Sequence, residues 1–203
     1  MNPRLFLIAL GSCLVASCAH KPPLTLEQLD SQMAENKKSA SRIYKGKSID
    51  QVRSASQRVL YLLDPPDMQF DVQDNELLAT RFSTFYAVFS VGYGRDWYSV
   101  TMKKTPDGVE SKFGLAGQMN VGPFPSFIQP SFRSNIPVSA HDNPADFKLF
   151  HDRVEYVLGI RPDWTTCEQA KKWSPDKPML LCDSIGLENL SPNDLANQTN
   201  IRD

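Results

Sequence analysis

The sequence predicts an α+β fold: N-terminal helices packed on a four- to five-stranded antiparallel meander, followed by a proline-rich loop and a helical C-terminal segment closed by a disulfide. Three observations predict it. Ser48 and Gln51 form a capping box, after which Ile49, Val52, Ala55, Val59 and Leu63 fall on one side of a helix that Asp64-Pro65-Pro66 stops. From Phe70 the apolar period changes from helical to two, in short runs separated by turn residues. From Asn143 the helical period returns. Helices flanking a block of strands, rather than alternating with them, are the pattern of a sheet with helices on one face.

Thr25 and Gln28 make an earlier capping box, with Leu26, Leu29 and Met33 at helical spacing before a polar stretch through Ser41. In the strand block, Phe70 and Val72 alternate with polar residues, Asp74-Asn75 breaks the run, and Leu78, Thr80 and Phe82 resume it. Phe85, Ala87, Phe89, Val91 and Tyr93 occupy odd positions with Tyr86 and Val88 between them, which predicts a central strand covered on both faces. Gly92 and Gly94 with Arg95-Asp96 predict a turn, and Tyr98, Val100 and Met102 the next strand. Thr105-Pro106-Asp107-Gly108 then turns into Val109, Ser111 and Phe113, since proline presets the first turn torsion and glycine accepts positive φ.

Between Gly114 and Pro144 the period disappears. Pro123, Pro125, Pro130 and Pro137 exclude a continuous helix, and the isolated Phe124, Phe127 and Phe132 predict a long loop that lays phenylalanines on the sheet or straps a partner. Phe85, Phe89, Tyr93, Phe124 and Phe127 are therefore the candidate ligand or partner surface. The next helix has Asn143 as cap, Pro144 in its first turn, and Phe147, Phe150, Val154 and Leu158 on one stripe before Gly159. His151 lies on that stripe and reads as a packed, hydrogen-bonded core residue. Thr166 and Gln169 predict a short helix towards Trp173, Met179 to Cys182 a short strand, and Ser191-Pro192 a last helical turn.

The N-terminus has the parts of an export signal: Arg4, the apolar run Leu5 to Leu10 with Leu14 to Ala16, and small residues before a cut. It is too short to span a bilayer, which takes about 20 apolar residues. Leu14-Val15-Ala16-Ser17-Cys18 resembles the lipobox of bacterial lipoproteins. The resemblance implies cleavage before Cys18 and acyl chains on its thiol and new amino group, with residues 1–17 as signal, 18–24 as tether and 25–203 as a single domain. Two acyl chains already give stable membrane attachment. Cys13 is a rival lipid site that would leave too short a signal, and Ala16-Ser17 also suits the peptidase that leaves no lipid. In the lipoprotein class the residue after the lipidated cysteine influences sorting. Ala19 there, rather than Asp, implies the outer membrane with the body facing the periplasm.

Cleavage discards Cys13 and lipid consumes Cys18, leaving Cys167 and Cys182 as a pair in an oxidising compartment. A disulfide closing that loop is worth about 3 kcal/mol. Two sulfurs with no histidine nearer than His151 make half a zinc site, and no Cys-x-x-Cys spacing supports redox catalysis. Charge is balanced, 22 basic against 23 acidic residues, and no like-charge block exceeds Lys37-Lys38, Lys103-Lys104 or Lys171-Lys172, so no nucleic-acid partner is expected.

The three histidines, His20, His141 and His151, accompany no Gly-x-Ser-x-Gly elbow, His-Glu-x-x-His pair or phosphate-cradling loop. Asp71, Asp74 and Glu76 sit where turns favour acidic residues for conformational reasons. No catalytic residue, cofactor or metal ligand is assigned, and the expectation is a protein that is not an enzyme. The expected function is a lipid-anchored interaction or scaffold module at the outer membrane, whose partners are the membrane through Cys18 and an envelope protein. A lipid or hydrophobic-ligand carrier is the alternative, and an envelope hydrolase comes third.

Overall fold

The computed structural model describes residues 31, 34, 36–65, 67–87, 90–123, 134–140 and 143–182. The elements below belong to the unit Met33–Asp203. The strands are β1 (Ser41–Lys45), β2 (Gln69–Val72), β3 (Glu76–Ala87), β4 (Ser90–Thr105), β5 (Gly108–Pro123) and β6 (Ser134–Ala140). The helices of the described residues are α1 (Ile49–Tyr61), α2 (Pro144–Val157) and α3 (Cys167–Lys171), with a 3-10 turn at Leu180–Cys182. Antiparallel pairing gives the order β1-β5-β4-β3-β2, and β6 also pairs with β5. The class is α+β, and β2 to β5 form the expected meander.

The helix boundaries follow their capping chemistry. Gln51 N donates to the Ser48 side chain at 3.2 Å and Ser48 N donates to Gln51 Oε1 at 2.9 Å, so the first capping box is complete. Thr166 and Gln169 repeat it for α3 at 3.0 and 3.2 Å. Ala145 N donates to the Asn143 side chain at 3.1 Å, and Pro144 occupies the first turn, where its missing N–H costs nothing.

One face of the sheet carries the core. Leu77 and Ala79 of β3, Tyr98, Val100 and Met102 of β4, and Val109, Phe113 and Leu115 of β5 are buried against Val52, Ala55, Val59 and Leu60 of α1 and Phe147, Phe150 and Val154 of α2. Phe113 stacks on Phe150 with centroids 3.9 Å apart and meets Phe147 edge-on at 6.1 Å. Cys167 and Cys182 are joined as expected, with Cα atoms 5.6 Å apart and both residues buried. Asp146 ties the same segment to α2, accepting from Leu180 N at 3.2 Å and Leu181 N at 3.1 Å, while Asn143 Nδ2 donates to Pro178 O at 3.0 Å.

Four sequence expectations are corrected. The polar stretch through Ser41 ends in a strand: residues 36–39 are helical, Ala40 turns, and β1 pairs with residues 108–112 of β5. With Tyr44 its only buried residue, β1 carries too little apolar pattern to show a period. The single central strand from Phe85 to Tyr93 is two strands, because β3 ends at Ala87 and β4 begins at Ser90. The apolar run continues across that reversal and so conceals it. Gly92, Gly94, Arg95 and Asp96 accordingly lie inside β4 and make no turn.

The proline-rich loop is shorter than expected, since residues 114–123 complete β5 and residues 134–140 form β6. Pro123 and Pro137 sit where a strand tolerates them. Pro123 is the last residue of β5, and Pro137 lies in an edge strand where Gly117 pairs with Ser139 but Met119 with Ile136, so β6 has one extra residue opposite Gln118. Finally, the short strand at Met179 to Cys182 is the 3-10 turn. The helix at Thr25 and the turn at Ser191-Pro192 lie outside the described residues.

Candidate functional site

The helices cover one face of the sheet, and the other presents an aromatic strip. In antiparallel pairing, opposed residues share a face, so Thr80 with Trp97 and Ala116, Phe82 with Arg95 and Gln118, and Thr84 with Tyr93 make successive rows. Phe82 is 40% exposed and Tyr93 49% exposed, values unusual for ordered aromatic residues in long strands. Thr84 and Arg95 are also exposed, and Trp97 is half-buried. The guanidinium of Arg95 lies 4.3 Å from the Phe82 ring centroid and 5.7 Å from that of Trp97. A cation resting on two rings is held in orientation while its N–H edge stays open to solvent.

The rows holding the strip contain no carboxylate on that face. On the covered face of the same strands, Asp96 is bound by Arg81, whose Nη2 and Nε donate to Asp96 Oδ2 at 2.6 and 3.1 Å. Both partners are largely buried, with side-chain exposures of 7% and 13%. Tyr98, beside them, is fully buried and its hydroxyl has no hydrogen-bond partner among the described residues; burial pushes its pKa up and keeps the phenol neutral. The alternation that buries Asp96 with Arg81 is what turns Arg95 outward.

Of the sequence-predicted surface, Tyr93 belongs to this strip. Phe85 pairs with Gly92 whereas Tyr93 pairs with Thr84, so the two hold alternate ladder positions rather than one face. Phe89, Phe124, Phe127 and Cys18, the expected lipid site, lie outside the described residues, as does His141. Sequence reasoning missed Phe82, Arg95 and Trp97 as site residues. The signal was the i, i+2 spacing of Tyr93, Arg95 and Trp97, obscured once Gly92 and Gly94 were taken for a turn.

No family model, curated protein or solved structure matches this chain.

Two buried polar groups away from the strip, His151 and Asp152, are held by their neighbours. His151 is fully buried; its Nδ1 lies 2.8 Å from the Tyr44 hydroxyl and its Nε2 3.0 Å from Ala40 O. The carbonyl can only accept, so Nε2 carries the proton and Nδ1 accepts from Tyr44. Burial lowers the His151 pKa to about 4, and the nearby Arg42 lowers it too, against the opposing pull of the Ala40 bond and Asp152. Asp152 on the same helix, 2% exposed, is ringed by Arg42, Lys148 and Arg161. Among the described residues no group of three or more His, Cys, Asp or Glu is placed to hold a metal ion, and no helix is long and apolar enough to cross a membrane.

Proposed function

We propose that this chain is a lipid-anchored protein of the bacterial envelope, attached through Cys18 to the outer membrane and facing the periplasm, whose body acts as a non-enzymatic interaction or scaffold module for an envelope protein. The observation that carries the reading is the Phe82, Tyr93, Arg95 and Trp97 strip on the uncovered sheet face. Tyr, Trp and Arg are the residue types that dominate binding energy at protein interfaces. Support for a role without catalysis comes from His151, both of whose ring nitrogens are engaged in bonds that hold β1 to α2. The carrier reading is less well supported, because Phe82 and Tyr93 lie open on a sheet face rather than lining an enclosed space.

Two measurements test this. A photo-crosslinking amino acid at Thr84, beside Tyr93 in the ladder, is expected to give a discrete adduct in intact envelopes, and Tyr93→Ala to remove it. The absence of any adduct would sink the interaction reading. For the anchor, metabolic labelling with a fatty-acid probe is expected to mark the wild-type chain and not Cys18→Ser. Label persisting on Cys18→Ser would place the lipid elsewhere and overturn the anchor assignment.

A further inference from the structure

We infer that the partner is a folded envelope protein that places an Asp or Glu carboxylate against Arg95. The inference rests on the reading of the strip as an interaction surface and names the chemistry it selects. Arg95 is exposed, lies over two aromatic rings, and has no ion-pair or hydrogen-bond partner among the described residues. The other arginine of these rows, Arg81, has its carboxylate in Asp96. A guanidinium held on ring faces keeps its planar fork of donors aimed outward, and that fork matches a carboxylate in two parallel hydrogen bonds. The apolar rings exclude water around such a pair, which strengthens it relative to one made in open solvent. Arg95 has Thr80, Thr84 and Gln118 as its neighbours across and beside the ladder, so no acidic group of the rows around it competes for it.

The position of the strip also selects how the partner binds. β4 lies between β3 and β5, and its backbone pairs with both from Ser90 to Ala87 and Pro123 onward. An extended peptide laid over Tyr93, Arg95 and Trp97 therefore finds no free backbone N–H or C=O on β4; β3 has an edge beyond Thr80, where β2 no longer pairs with it, but strand addition is excluded on β4 itself. Recognition there must run through side chains, and a folded surface presents its carboxylate already positioned, at a smaller entropic cost than a flexible strand.

Carbodiimide coupling tests this, since it condenses a lysine amine with a carboxylate in direct contact, releasing water and adding no spacer. The full chain carrying Arg95→Lys is treated in intact envelopes and the linkage at residue 95 is mapped by mass spectrometry. The expected product is an amide to an Asp or Glu side chain of another protein, reduced at least tenfold when Phe82→Ala and Trp97→Ala remove the platform. In parallel, Arg95→Glu is expected to cut the Thr84 photo-adduct at least tenfold and Lys103→Glu to leave it unchanged. A linkage to a glycan carboxylate, a photo-adduct insensitive to Arg95→Glu, or no linkage at residue 95 while the photo-adduct forms would each overturn the inference and leave the interaction reading standing. Loss of the photo-adduct in the wild-type chain would overturn both.

Discussion

Phe113→Ala is expected to cost the fold about 3 to 5 kcal/mol, because truncating a fully buried phenylalanine loses its transfer free energy and leaves a cavity that neighbours fill only in part. The ring is 1% exposed and packed between sheet and α2, stacked on Phe150 and edge-on to Phe147. Its backbone N–H also donates to Ala40 O at 2.8 Å, at the point where β1 meets the sheet. Urea unfolding of the full chain in detergent checks the expectation, with exposed Lys103→Ala as the comparison, which should change stability by less than about 0.5 kcal/mol. Equal midpoints for Phe113→Ala and wild type would mean that this face of the sheet is not the core.

The second large effect is a dependence on pH. His151 is neutral in the fold with a pKa of about 4, against 6.5 for a free side chain. Between those values the unfolded chain binds a proton that the folded chain does not, so stability is complete above pH 6.5 and is lost as pH falls towards 4. The loss is about 2 kcal/mol by pH 5 and about 3 kcal/mol by pH 4, at 1.36 kcal/mol per unit of pKa difference. The groups facing the ring are Tyr44 and Arg42 from β1, Ala40 before it, and Phe150 and Asp152 from α2; Glu155 of α2 pairs with Arg42. His151→Gln keeps a donor and an acceptor without the titration. Urea midpoints of wild type and His151→Gln measured from pH 7.5 to 5 should therefore converge, and parallel curves would remove His151 as the cause.

What the sequence disclosed is whatever was written in local chemistry. Ser48 with Gln51, Asn143 with Pro144, and Thr166 with Gln169 placed three helix starts correctly, since capping is decided within four residues. The Cys167–Cys182 bond followed from counting the thiols that remain after export. What stayed hidden depends on distant partners. β1 and β6 are strands because β5 offers them an edge, one beside residues 108–112 and the other beside residues 116–121, and neither has the apolar alternation to announce itself. The β3 to β4 reversal was missed because period two looks the same before and after a tight turn when residues on both sides are apolar. That one error shifted the candidate site: it joined Phe85 to Tyr93 on one face and concealed Arg95 between its rings.

Ala40 immediately precedes β1, and its carbonyl accepts two bonds at once, from Phe113 N of the sheet and from His151 Nε2 of α2. A mechanical pull arriving from residues 1–39 is therefore met first by that oxygen, and the force divides between β5 and α2 before any rung of β1 bears it. Strand β1 by itself would open like a zipper from that end, one pair at a time, since only five residues oppose it. Arg42 of β1 to Glu155 of α2, and Lys47 just after β1 to the carbonyl of Leu158 just after α2, add crosswise ties. If the body is tethered through its N-terminus, as proposed, the short strand is the collar that takes the load.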